Sequence, residues 1–309
     1  MIKIGIIGMG NIGKRHLQSL QDLKIKTEVF CHDIFKESLA SLDDFLKENS
    51  VKIENVAKIN DYNQFINKID DNTIVIIATT AKGRFKIITD LLKMNPKALI
   101  IEKPVCQSLS EYESLLNIDT KTQLFVNFPR HLFPIYISLK EELSKLNINQ
   151  IEINTIKAGI GCNGTHMLDL MIYLLNIKEI RIINSNIYQV YETNRKSFFD
   201  FSGKIEMESD RNIRIILNDK NQGIEQFNIE TDHKNILIYE PLRKLIEVSN
   251  EELNVKDFEV MYQSKLTAGV IESILDNKCK LPTLKESFLS HQIIFKIMKE
   301  HGLLNLNIT

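Results

Sequence analysis

The segment that most constrains this chain lies near its N-terminus, where an apolar run, Ile2–Ile7, passes directly into Gly8-Met9-Gly10-Asn11-Ile12-Gly13 and then into an amphipathic stretch reaching Leu23. A strand that feeds a glycine-rich turn and opens a helix predicts the start of a βαβ unit. In such a turn one glycine permits the tight bend, one lets backbone approach a pyrophosphate, and one brings helix and strand together, while unpaired helix N–H groups face the anion. Gly8, Gly10, Asn11, Ile12 and Gly13 are therefore candidate dinucleotide contacts.

Asp33 follows the next strand candidate, Thr27–His32, twenty residues after Gly13. A carboxylate there can accept hydrogen bonds from the adenine-ribose hydroxyls and would repel a 2′-phosphate, which favours NAD. Lys36 nearby keeps NADP as the alternative, and a helix cap for the segment from Phe35 is the plain structural role open to Asp33.

The first 127 residues continue to alternate short apolar runs with amphipathic stretches. The runs at 73–78 and 98–101 are continuously apolar, as parallel strands covered on both faces should be. This predicts an α/β chain that opens with a doubly wound Rossmann domain over 1–127. Over 128–283 the pattern predicts an α+β domain with a large, mostly antiparallel open sheet: a helix near 135–146, a strand near 150–157, a helix starting near Thr165, then strands over 179–248. Helices near 257–276 and 286–301 close the chain, and the last, about 284–305, is expected to pack back on the first domain.

Acidic and basic residues number 40 and 39, with no long single-sign run, so neither a nucleic-acid groove nor a polybasic membrane tether is expected. A small-molecule partner is favoured. Cys31, Cys106, Cys162 and Cys279 lack the spacing of a zinc site or a disulfide framework, which points away from metal and toward a reducing cytoplasm. Nothing in the sequence reads as a leader, an anchor or a membrane span.

Two further constellations carry chemistry. Glu102-Lys103-Pro104 directly follows the strand candidate Ala98–Ile101, at the carboxyl end where open α/β sheets bind ligands. Lys103 there can hydrogen-bond a substrate hydroxyl and transfer a proton, although a surface lysine beside a turn proline satisfies the same spacing. Residues 159–169, Gly-Ile-Gly-Cys-Asn-Gly-Thr-His-Met-Leu-Asp, read as a glycine-rich loop entering a helix, with His166 and Asp169 on one face. A histidine at a helix start has its protonated form disfavoured by the dipole, which suits a base. A turn with His166 as a satisfied polar residue at a domain edge is the alternative.

In order and separation these three constellations resemble the Gfo/Idh/MocA oxidoreductase family along nearly the whole chain, as do His16 after the glycine motif and the Pro-Thr-Leu segment before the final helix. The resemblance implies that Lys103 and His166 are the catalytic pair, that Glu102 and Pro104 shape the nicotinamide pocket, and that Thr79 and Thr80 belong to a cofactor loop. Arg130 resembles a recurring family arginine and is a candidate for a substrate carboxylate or phosphate, or for a salt bridge fixing the domains. Cys162 stands where many members have an aspartate, so Asn163 or Asp169 would orient His166 or bind substrate hydroxyls instead.

The activity so implied is hydride transfer between NAD(P) and a sugar, polyol or nucleotide sugar, in a homodimer or homotetramer. An NAD-dependent glycoside hydrolase of the same superfamily and a catalytically inactive dinucleotide-binding regulator are the alternatives.

Overall fold

The computed structural model describes residues 1–53, 55–249 and 252–308. The chain divides into two compact units, Met1–Pro129 with Met261–Glu286, and Arg130–Val260 with Ser287–Thr309.

The first unit holds six parallel strands, β1 (Ile2–Ile7), β2 (Thr27–His32), β3 (Ala57–Ile59), β4 (Thr73–Ile77), β5 (Ala98–Ile101) and β6 (Gln123–Val126). Their order is β3-β2-β1-β4-β5-β6, so the chain reverses direction across the sheet between β1 and β4. Every residue of β4 and β5 is buried, which explains runs with no polar alternation. Helices α1 (Asn11–Ser19), α2 (Lys36–Ala40), α3 (Leu42–Glu48), α4 (Tyr62–Ile66), α5 (Arg84–Leu92) and α6 (Leu109–Leu116) connect them. Asp61 and Ser108 cap α4 and α6 by accepting the N–H groups of Gln64 and Glu111.

The second unit opens with α7 (Pro134–Leu143), β7 (Ile148–Ile156) and α8 (Ile160–Leu175). The strands β8 (Ile180–Glu192), β9 (Phe199–Ser209), β10 (Arg214–Lys220), β11 (Gln226–Thr231), β12 (Asn235–Tyr239), β13 (Lys244–Ser249) and β14 (Glu252–Asp257) follow. They form one open sheet with β7, in the order β14-β13-β12-β11-β7-β10-β9-β8. Only the β7–β10 pair among these is parallel, and the expected α/β plus α+β architecture with a mostly antiparallel second sheet is what the structure shows.

Two closing helices, α9 (Gln263–Leu275) and α10 (Phe288–Glu300), are present, but their destinations differ from the expectation. It is α9 that returns to the first unit, where Ala268 N–H donates to Ser19 Oγ of α1 at 3.0 Å. Residues 282–284 then lie antiparallel along β6, giving that edge strand partners through Pro282 and Leu284. The last helix, α10, packs instead on α8 in the second unit, where Ile294 sits against Gly164. Both helices carry an apolar face, and periodicity reports the face without naming what receives it.

The helix of the second glycine cluster also starts earlier than expected. Positions 160–165 are already helical, because Gly161 and Gly164 serve close packing: an added Cβ would meet Asp200 Oδ1 at 2.9 Å at the first and Ile294 Cδ1 at 3.0 Å at the second. Among the described residues no helix is long and apolar enough to cross a membrane.

Candidate functional site

The glycine loop has the geometry its spacing implies. Gly8 sits at φ +94°, and a Cβ there would lie 2.6 Å from Thr79 N. A Cβ on Gly13 would fall 1.9 Å from Gly8 O, so α1 approaches the loop as closely as backbone allows. Gly10, the N-cap of α1, differs: its φ of −70° suits any residue, and beyond its own chain neighbours nothing lies within 4 Å of the Cβ position. The space in front of Gly10, at the start of a helix with no acidic residue in its first turn, is a cradle that fits a pyrophosphate. Asn11 and Ile12 form that first turn and are exposed.

Asp33 is buried, and both carboxylate oxygens are engaged by backbone. Oδ2 accepts Met9 N–H at 2.6 Å and Oδ1 accepts Phe35 N–H at 2.8 Å. The residue thus braces the glycine loop from the end of β2. The short helix that follows is capped at Phe35, so a capping role for Asp33 reduces to this turn.

Thr79 and Thr80 follow β4, and Glu102-Lys103-Pro104 follows β5, with the Lys103–Pro104 peptide cis. Glu102 is the hub of a buried polar network. Its Oε1 accepts from His16 Nε2 at 3.1 Å and from Asn127 Nδ2 at 2.5 Å. His16 Nδ1 lies 2.8 Å from Thr267 Oγ1, and Asn127 also donates to Gln263 Oε1 at 2.9 Å. Burial pushes the Glu102 carboxyl up, but His16, Asn127 and the charge of Lys103 outweigh it and hold the group below the usual carboxylate range. The Arg84 guanidinium donates to the backbone carbonyls of Thr79, Glu102 and Pro104. Asn127, Gln263, Thr267 and Arg84 gave no signal in the sequence, since nothing local announces partners this distant in the chain.

In the second unit, His166 and Asp169 share α8, but His166 is the seventh residue of that helix rather than its first. Dipole effects fade beyond the first turn, so the dipole argument for His166 as a base does not hold. Asp169 is buried and accepts from His131 Nε2 at 2.7 Å, and the His131 ring lies 4.0 Å from the Tyr173 ring. Nothing in the local sequence marks His131 as a partner of Asp169. Asn163 donates to Ala158 O at 2.5 Å, holding the first turn of α8 to the residue preceding Gly159. Asp200 of β9 accepts the N–H groups of Gly161 and Cys162 at 2.7 and 3.3 Å, so a carboxylate is present at the start of α8 although position 162 itself carries a thiol.

Arg130 forms a two-pronged pair with Glu240, at 2.7 Å from Nε and 2.5 Å from Nη2, and the Tyr136 hydroxyl donates to the same carboxylate. Burial raises the Glu240 carboxyl, yet the Arg130 charge and the hydrogen bonds from Arg130 and Tyr136 bring it below its ordinary value. Arg130 is thus in a salt bridge, but with a residue of its own unit, so the pair is not the one expected to fix the domains.

The 3-2-1-4-5-6 sheet, its glycine loop at the strand-order reversal and the acidic residue directly after β2 define a Rossmann domain of the dinucleotide-binding type. Residues 2–128 match the oxidoreductase family GFO_IDH_MocA, NAD-binding Rossmann fold. Inositol 2-dehydrogenase of Salmonella typhimurium is 26% identical over 154 residues, 48% of this chain, and the match spans 43% of that relative's length. Among solved structures, the super-repressor mutant of Gal80p from Saccharomyces cerevisiae is similar at TM-score 0.78 and 14% identity, covering 98% of this chain and 96% of that one. UDP-N-acetylglucosamine 3-dehydrogenase GnnA from Acidithiobacillus ferrooxidans is similar at TM-score 0.72 and 12% identity, covering 98% and 99%. These two likenesses concern the fold.

Proposed function

We propose that this chain is an NAD-dependent oxidoreductase acting at a hydroxyl-bearing or carbonyl carbon of a sugar, polyol or nucleotide sugar. The observation that carries the proposal is the Rossmann crevice itself: an open cradle at Gly10 braced by Asp33, and Lys103 at the carboxyl end of β5 in the same unit. When bound, the nicotinamide supplies the hydride acceptor or donor. The chain supplies orientation and proton transfer.

In this reading the α1 N-terminus and Gly8–Gly13 loop hold the pyrophosphate, and Asp33 meets the adenine ribose with lone pairs left over from Met9 and Phe35. Its negative charge favours NAD over NADP. Lys103 and His166 are the acid/base residues of this reading, and such proton transfer contributes roughly 10²–10⁴-fold. Asn163 and Asp169 belong to the substrate side of this proposal, Asp169 by way of His131. The names of the inositol and UDP-N-acetylglucosamine dehydrogenases support a polyhydroxylated substrate.

The test is a turnover screen with NAD and NADP against inositols, free sugars and UDP-sugars, following nicotinamide absorbance. Substrate-dependent reduction that falls at least about 10²-fold in Lys103→Ala and in His166→Ala supports the assignment. Dinucleotide binding without any turnover would favour a regulatory protein, and glycoside cleavage without net reduction would favour a hydrolase. Exposed apolar residues on β8, Ile183, Tyr188 and Val190, support self-association as a dimer or tetramer. A monomer by light scattering at micromolar concentration would refute that part.

A further inference from the structure

Arg84 is the first residue of α5 and is only 1% exposed. Both facts are costly. A cation at a helix N-terminus meets the positive end of the dipole, and a buried guanidinium loses its hydration. The side chain is nevertheless held there by backbone carbonyls, those of Glu102 and Pro104 from one guanidinium nitrogen and that of Thr79 from another, with Nε 3.5 Å from Thr79 Oγ1.

These carbonyls are not scattered. Thr79 follows β4 and Glu102 and Pro104 follow β5, so both segments leave the carboxyl ends of the sheet half that lies across the strand-order reversal from β2 and β3. The glycine loop and Asp33 serve one mononucleotide half of such a sheet, and the loops after β4 and β5 serve the other. Glu102 and Pro104 flank Lys103, so a single planar fork fixes the backbone on both sides of that residue and ties it to the Thr79 loop. An ammonium group carries its three donors on one nitrogen and does not reproduce the planar spread by which two guanidinium nitrogens reach these carbonyls.

We propose that Arg84 is a positioning residue that preorganises the nicotinamide half of the cofactor site and the backbone of Lys103, an inference resting on the dinucleotide reading above. It acts on one half of the ligand. Loss of Arg84 therefore weakens a complete dinucleotide while sparing a ligand that lacks the nicotinamide.

The test titrates the full chain with NADH and NADPH, and with ADP-ribose and 2′-phospho-ADP-ribose, for wild type, Arg84→Met and Arg84→Lys. With the cofactor the wild type prefers, Arg84→Met is expected to lose about tenfold or more in affinity and to abolish the emission change of bound dihydronicotinamide. Affinity for the matching ADP-ribose should stay within about twofold, which also reports an intact fold. Arg84→Lys falls between, and carries the same comparison should the methionine variant not fold. Parallel loss of both ligands, or loss of neither, overturns the proposal. A wild type that binds no dinucleotide overturns the underlying reading instead, and with it this inference.

Discussion

Asp33 Oδ2 accepts the backbone N–H of Met9 at 2.6 Å, so the residue proposed to meet an adenine ribose also holds the loop proposed to meet the pyrophosphate. The two tasks are coupled through one carboxylate. Replacing it removes two charge-assisted hydrogen bonds to backbone, one buried and one part-buried, each contributing about 1.5–3 kcal/mol. Asp33→Ala is therefore expected to lower the denaturation free energy by about 2 kcal/mol or more, to weaken NADH and to erode the preference for NADH over NADPH. Asp33→Asn, which keeps one acceptor, should recover part of the stability. Chemical denaturation alongside cofactor titration checks both outcomes; an Asp33→Ala protein with unchanged stability would show that the brace contributes nothing.

The Glu102 network predicts a pH dependence. Because the folded carboxyl is held below its ordinary value of 4.5, its contribution is present above that pH and is lost as pH falls through the lower folded value. The stability advantage of wild type over Glu102→Gln should accordingly be constant near neutrality and shrink below about pH 4.5. Denaturation midpoints of both proteins measured from pH 7 to pH 3 decide this. His16→Ala, which removes the main partner of a buried carboxylate, should cost about 3 kcal/mol at pH 7.

What the sequence discloses and what it withholds separate on a physical line. The glycine loop, the buried runs of β4 and β5 and the position of Lys103 after β5 are encoded within stretches of a few residues, where periodicity and turn chemistry act. The pairs Arg130–Glu240, His131–Asp169 and His16–Thr267 join residues 110, 38 and 251 positions apart, and no local pattern specifies them. The same limit explains why α9 and α10 exchanged destinations relative to expectation. It also explains the early start of α8, since Gly161 and Gly164 read as turn residues until Asp200 and Ile294 are seen against them.

Arg130 illustrates a consequence. With both prongs on Glu240, it should act chiefly on stability. Arg130→Met alone strands a buried carboxylate and is expected to cost about 3 kcal/mol, whereas Arg130→Met with Glu240→Leu removes both charges and should regain most of it. A double-mutant cycle by denaturation measures this. If the double variant regains stability yet loses substrate affinity, Arg130 has a binding role besides the pair.

The measurement that reaches the central claim most directly is calorimetric titration of NADH and NADPH into wild type and Gly10→Ala. The φ at Gly10 suits alanine and no protein atom occupies the Cβ position, so the variant should melt with wild type, while its methyl group fills the space assigned to the pyrophosphate. The account predicts wild-type binding with NADH preferred, and at least about tenfold weaker binding in Gly10→Ala at unchanged thermal stability. Binding of neither cofactor by wild type, or equal binding by both proteins, would contradict it.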